Sequence, residues 1–351
     1  MTRSGYFSQI SLALAVLLAA LPLFTNAQNG VSFRTSKANK KVEVLINGSL
    51  FTALRWDDDL KKPILFPINS ARGTAITRGF PIEPRAGESV DHPHQSGLWF
   101  NYGDINGVDF WNNSIYRTPE ELKRMGTIVL RRIVSTKSGK TSGELSFEAD
   151  WKIPDGKTIL RESTKFIFYA GVDSRAIDRL TTLTALTGKV VFGDSKEGMF
   201  GLRFRRELEQ PTKVPILLTD ANGKAMETPI LDNKGVSGEF LSSDGKIGDA
   251  VWGTRSKWAS LTGRVGNEAI TISMFDDPTN LGFPGYWMAR GYGLFASNPL
   301  GRKAYENKEA ENFTLEPKRS ITFRHRLVIH SRKQSPNEIE GHFQDFTRSV
   351  K

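Results

Sequence analysis

The chain has 351 residues, a formal net charge of +10, five histidines and no cysteine. That length suffices for one large β-rich domain or two ordinary ones. The absent thiols exclude disulfides, thiolate metal sites and lipid attachment through an N-terminal cysteine.

Arg3, the apolar run from Ile10 to Phe24 and the small-residue exit Thr25-Asn26-Ala27 read as a secretory signal cleaved near Ala27. The run is short for a membrane span, which takes about 20 apolar residues. A retained anchor is the alternative. Residues 28–351 are then expected to form a single periplasmic or secreted domain, with no stable membrane insertion after cleavage. Lys and Arg are spread along the chain without the aromatic interleaving of a nucleic-acid platform, so nucleic acid is not an expected partner. The positive excess reads as solvated surface, or as a bias toward anionic ligands such as acidic sugars.

Val42 to Ile46 and Leu50 to Leu54 flank Asn47-Gly48, a hairpin signal because both central residues of that turn favour positive φ. Gly126 to Val134 is a β-branched run. Glu144 to Ile153 alternates, with Leu145, Phe147, Ala149, Trp151 and Ile153 on one face, as in an antiparallel strand with one wet side. Pro154-Asp155-Gly156 turns it into a strand from about Thr158 to Tyr169. Ala176 to Leu186, Ala269 to Phe275 and Ser320 to His330 read as further strands. Helical signals are confined to Pro119–Arg124 and to a short C-terminal helix begun by Ser335-Pro336 and ending near Phe346. The pattern predicts an all-β fold, a large antiparallel β-sandwich with few short helices.

Asp91 to Trp111 concentrates two histidines, two tryptophans, three aspartates and two asparagines in a stretch without helical period or sustained alternation. Polar, aromatic loops punctuated by Gly and Pro are where binding and catalysis usually sit. Pro93 biases His92 toward extended geometry, which would point His92 and His94 the same way. The pair can serve as acid or base, ligate a metal with Asp91 or another carboxylate, or hold the loop. Phe192 to Arg203 packs Asp194, Lys196 and Glu197 between glycines; Glu197 can act as a base steered by Lys196 or Arg203, or the segment is a solvated hairpin. Trp252 to Trp258 places Arg255 between tryptophans that either stack on sugar rings or pack a core. Tyr286 to Gly293 brings Arg290 into a further aromatic loop. His325, on the apolar side of its strand, reads as a satisfied core histidine.

DHPHQSGLWF (91–100), GDINGVDFW (103–111), VVFGDSKEGMFGLR (190–203), WGTRSKW (252–258) and FDDPTN (275–280) through RGYGLFASNPLG (290–301) together resemble a bacterial, mostly exported family labelled "methane oxygenase PmoA" and of unknown function. The resemblance covers roughly Asn69 to Gly301. Gln95, Asp277 and Met288 stand where that family's pattern has histidine. The resemblance implies an aldose-epimerase-like supersandwich and a carbohydrate-related role, although the label itself names an oxygenase whose membrane subunit needs several spanning helices. The expected site is a groove with His92, His94 and Glu197 as acid and base. Trp99, Asn101, Lys196, Arg203, Arg255, Trp258 and Arg290 are expected to bind a carbohydrate or polyol. No cofactor is predicted, while a metal held through His92 and His94 stays open.

Overall fold

The structure, a computed structural model, describes residues 1–2 and 29–349. The expected signal segment falls almost wholly outside them. Two eight-stranded sheets dominate the fold. The first runs, in spatial order, Val31–Ser36, Lys41–Ile46, Ser49–Arg55, Ile64–Ile68, Leu98–Tyr102, Gly198–Arg203, Leu294–Asn298 and Tyr286–Arg290. The second runs Glu239–Ser242, Trp258–Val265, Glu268–Asp276, Ser320–His330, Ser174–Ala185, Thr158–Ala170, Ser142–Lys152 and Thr127–Lys137. Neighbours pair antiparallel, as in Leu98–Tyr102 with Gly198–Arg203 and Thr158–Ala170 with Ser174–Ala185. The architecture is the all-β sandwich read from the sequence.

The inner faces meet in one apolar core. Phe51 and Phe33 from the first sheet meet Phe168 from the second, and Phe100 meets Trp151 and Phe323. A buried ion pair, Arg179 to Glu162 at 2.6 Å, sits in this core with the guanidinium 4.8 Å over the Phe100 ring. Asn47 and Gly48 both take positive φ in their hairpin, as the turn chemistry requires. Ser142–Lys152 shows the expected alternation of buried and half-buried positions. Ser335 caps the C-terminal helix Pro336–Arg348 in a capping box with Glu338. That helix lays Ile339, Phe343 and Phe346 on Trp258, Phe275 and Val328, on the outer face of the second sheet.

The first sheet is covered on its outer face as well. Leu98, Phe100 and Tyr102 point into the core, while Trp99 points outward. Strand register sets Trp99 beside Gly201, Gly201 beside Ala296, and Ala296 beside Met288. The next row holds Arg203, Leu294 and Arg290. Trp111 packs against Trp99 with ring centroids 5.3 Å apart. Leu98–Tyr102 is therefore buried at every position, and its sequence shows no alternation; it lies inside a stretch read as loop. Gly201 provides the depth this stack needs, because a Cβ there would stand 2.6 Å from the Trp99 ring. Gly201→Ala should destabilise the fold by about 1–3 kcal/mol through overpacking, measurable as a lower denaturant midpoint.

Candidate active site

The segment carrying the two histidines crosses the outer face of the first sheet, and two buried arginines hold it there. Arg78 donates from Nη1 to the Ser89 carbonyl (3.1 Å), the Asp91 carbonyl (2.8 Å) and Asp91 Oδ1 (2.8 Å). Its Nη2 donates to the carbonyls of His92 (3.0 Å) and Gln95 (3.1 Å). Arg203 donates to Asp91 Oδ1 (2.6 Å), Ser89 Oγ (3.0 Å) and Gln95 Oε1 (2.7 Å). Gathering these carbonyls around one guanidinium bends the loop. His92 takes φ +42°, and the Gln95 amide bonds back to the His92 carbonyl. The extended geometry expected from Pro93 gives way to this turn, because the Arg78 bonds outweigh a local preference.

Asp91 spends one oxygen on the arginines and the other on His92, whose Nδ1 lies 2.5 Å from Oδ2. The two guanidiniums and the imidazole hold this carboxyl far below the usual range, against the opposing effect of its burial. An ionised Asp91 fixes the His92 proton on Nδ1 and leaves Nε2 free. The imidazole stacks on Tyr292 at 5.0 Å, nearly parallel.

His92 faces a cavity of about 360 Å³, also lined by His94, Gln95, Trp111, Asn112, Lys196, Glu197, Met288, Arg290 and Tyr292. Asp109 shapes one wall by accepting the backbone amides of Trp111 (2.8 Å) and Asn112 (3.0 Å). The opposite loop is fixed where the Gly103 amide meets the Glu197 carbonyl (2.7 Å) and the Tyr305 hydroxyl donates to the Lys196 carbonyl (2.8 Å). Burial raises the Glu197 carboxyl above its ordinary value, while Lys196, with Nζ 3.3 Å away, pulls it back down in part.

Five expected site residues therefore share one hollow: His92, His94, Lys196, Glu197 and Arg290. Five do not. Trp99 is the floor beneath Trp111, fully buried. Asn101 is buried and donates to the Phe110 carbonyl (2.7 Å). Arg203 is buried behind the histidine loop and holds it. Arg255 donates to the carbonyls of Pro284 (2.8 Å) and Gly282 (3.0 Å). Trp258 lies on the outer face of the second sheet, its indole N–H donated to Glu340 (2.8 Å). In the last four the polar group found a partner inside the fold, whereas the buried Trp99 indole N–H has none; sequence context could not reveal either outcome. His325 is in the core as expected, stacked on Phe200 at 5.0 Å, but its Nδ1 has no partner.

His94 differs from its neighbour. It is buried, both ring nitrogens lack partners, and burial together with nearby Lys62, His92, Arg117 and Arg203 holds its pKa down at about 2. A pKa held that low does not suit His94 to the acid role expected of it, and favours a neutral ring that accepts or donates a hydrogen bond. Lys62, absent from the sequence expectations, donates to the His94 carbonyl (2.7 Å) and is lowered to about 7 by burial. Among the described residues no three His, Asp or Glu side chains converge to hold a metal ion. Asp91, one carboxylate that could have completed such a set, is committed to Arg78, Arg203 and His92. The donor set does not fit a metal. Of the positions departing from the resembled pattern, Gln95 and Met288 line the cavity, whereas Asp277 pairs with Arg324 at 2.6 Å elsewhere.

A family model described as a family of unknown function, DUF6807, matches residues 41–344. The chain belongs to that family. No curated protein matches the sequence. Among solved structures, the GH36 alpha-galactosidases AgaB and AgaA from Geobacillus stearothermophilus align with TM-scores of 0.43 and 0.41, each at 10% identity. They cover 88% and 86% of this chain, which spans about two fifths of theirs, 42% and 41%. A Synechocystis sp. PCC 6803 protein aligns at TM-score 0.34 and 9% identity, over 88% of this chain and 98% of its own.

Imidazole NMR should show His94 unprotonated from roughly pH 5 to 8. A titration inside that window would mean that its ring is solvated or paired with a carboxylate.

Proposed function

We propose that this protein performs acid/base chemistry on a small carbohydrate or polyol, as an epimerase- or lyase-like enzyme. The observation that carries the reading is the pairing, in one cavity, of an Asp91-oriented His92 with a Glu197 whose carboxyl is raised by burial. A base with raised pKa takes a proton from carbon more readily, and an imidazole oriented by a carboxylate returns one to oxygen. Glu197 is assigned as base and His92 as proton donor, a role that needs a second proton on Nε2 beside the one Asp91 holds on Nδ1. Asp91, pinned by two guanidiniums, orients the ring and stays ionised. His94, Asn112, Lys196 and Arg290 supply hydrogen bonds to substrate oxygens, and Trp111 and Tyr292 form the aromatic walls. The volume falls in the range of small-ligand sites, ~300–1,000 Å³.

The protein is taken to act after export to the periplasm or beyond, with residues 1–27 as the signal. No helix among the described residues is long and apolar enough to cross a membrane. A non-catalytic glycan-binding module would need exposed tryptophans to stack on sugar rings. Trp99, Trp111 and Trp258 are only 0%, 1% and 2% exposed. The oxygenase sense of the PmoA-like resemblance requires a redox metal, for which the donor set around His92 and His94 is unsuited.

Incubating the protein in deuterated water with a panel of sugars tests the reading by product formation and deuterium uptake at carbon. His92→Ala and Glu197→Gln should each lower turnover by about 10²-fold or more with unchanged circular dichroism; full turnover in either variant overturns the assignment.

The pH dependence has a definite sign. Activity requires ionised Glu197, so the rate falls as pH drops through a pKa lying above the ordinary glutamate value. Lys196→Met removes the charge that lowers this pKa, so the acid limb of the rate profile should move to higher pH. A shift the other way would mean that Glu197 is not the group being read.

A further inference from the structure

The cations around this cavity are not equivalent. Arg78 and Arg203 are satisfied by Asp91 at 2.8 and 2.6 Å, Arg206 by Glu209 at 2.6 Å, and Lys196 faces Glu197 at 3.3 Å. Arg290 ends the edge strand Tyr286–Arg290 and lines the cavity, with its guanidinium 4.3 Å over the Trp252 ring. Among the described residues it meets neither a carboxylate nor a hydrogen-bond acceptor. The aromatic face holds the guanidinium in place without using its N–H groups. Lys196 and Glu197 offset one another, which leaves Arg290 as the uncompensated charge of the lining. Nearby His94 adds a buried imidazole with two unpartnered nitrogens.

A planar guanidinium with free N–H groups matches a carboxylate through two parallel hydrogen bonds. One uncompensated cation calls for one negative charge, so a phosphate dianion would leave an excess. We infer that the cavity selects a carboxylate-bearing sugar, a uronic or aldonic acid, and that Arg290 is the residue that reads the carboxylate. The inference rests on this cavity being the substrate site. It also fits the chemistry assigned there. A carboxylate neutralised by Arg290 accepts the electron pair left when Glu197 removes the neighbouring C–H proton.

Calorimetric titration of the purified protein with D-glucuronate and D-galacturonate, against D-glucose, D-galactose and glucose 6-sulfate, tests it. At least one uronate should bind about tenfold or more tighter than its neutral parent. Arg290→Gln should reduce that preference, read as the ratio of uronate to neutral-parent affinity within the variant, to about twofold or less, and Arg290→Lys should retain part of it, having charge without the fork. The Lys variant decides the matter if the Gln variant does not fold. No binding of either uronate, no preference over the neutral parents, tighter binding of the sulfate, or a preference untouched in both variants would overturn the inference. His92→Ala should keep the preference while losing turnover. Turnover of neutral sugars without uronate preference sinks this inference and spares the acid/base reading; uronate preference without turnover of any sugar does the reverse.

Discussion

The carboxylate of Asp91, gripped by two buried guanidiniums, is the constraint on which the site depends. Arg78 comes from the segment before the loop and Arg203 from the end of a central strand, so the contact ties the loop to the sheet beneath it. Buried ion pairs are poor sources of net stability, because desolvation costs about as much as the attraction returns. Here the return is geometric. The hydrogen bonds from Arg78 and Arg203 fix a turn in which His92 occupies the left-handed region, a conformation costing roughly 1–2 kcal/mol for a residue with a Cβ. Burial and the neighbouring Arg203 lower Arg78 to about 9, which still leaves it charged near neutrality. Two cations on one carboxylate also keep Asp91 from competing for the proton it orients.

The sheet prepares the ground for this clamp. A sandwich normally leaves its outer faces wet, and the second sheet largely does so along Ser142–Lys152. The first sheet instead buries Trp99, Met288, Leu294 and Ala296 under Trp111 and its loop. Small residues at Gly201 and Ala296 open a trough in the middle strands, and the Trp99 ring fills it. Trp111 rests on that ring and presents its other contacts to the cavity. Packing thus decides where the loops lie, and the arginines decide what they present.

How far the sequence foretold this varies by element, for physical reasons. Strands with one wet face announce themselves by alternation, and Ser320–His330 was legible to the residue. The Asn47-Gly48 hairpin and the Ser335 cap were legible because local backbone chemistry fixes them. Leu98–Tyr102 was not, since a strand buried on both faces has no period to read. His92, Lys196, Glu197 and Arg290 stood out as polar residues between glycines and aromatics. Arg255, Trp258 and Asn101 stood out in the same way, yet their polar atoms are consumed by Pro284, Glu340 and Phe110. Composition cannot distinguish a group aimed at a ligand from one aimed at a carbonyl. Arg78 and Lys62 lay outside every motif, because their importance comes wholly from what the fold brings to them.

The two histidines show how much the fold adds to a motif. Only Pro93 separates them, and the rings lie 5.6 Å apart. One has a carboxylate on Nδ1, an aromatic partner and a cavity; the other has neither acceptor nor counter-ion and is surrounded by cations. Burial among positive charges removes the proton from His94, while Asp91 directs the proton of His92. A neutral imidazole beside an oriented one makes an asymmetric pair, suited to holding a hydroxyl with one ring and moving its proton with the other. The asymmetry is electrostatic in origin: Lys62, Arg117 and Arg203 act on the buried His94 ring, while Asp91 acts on His92.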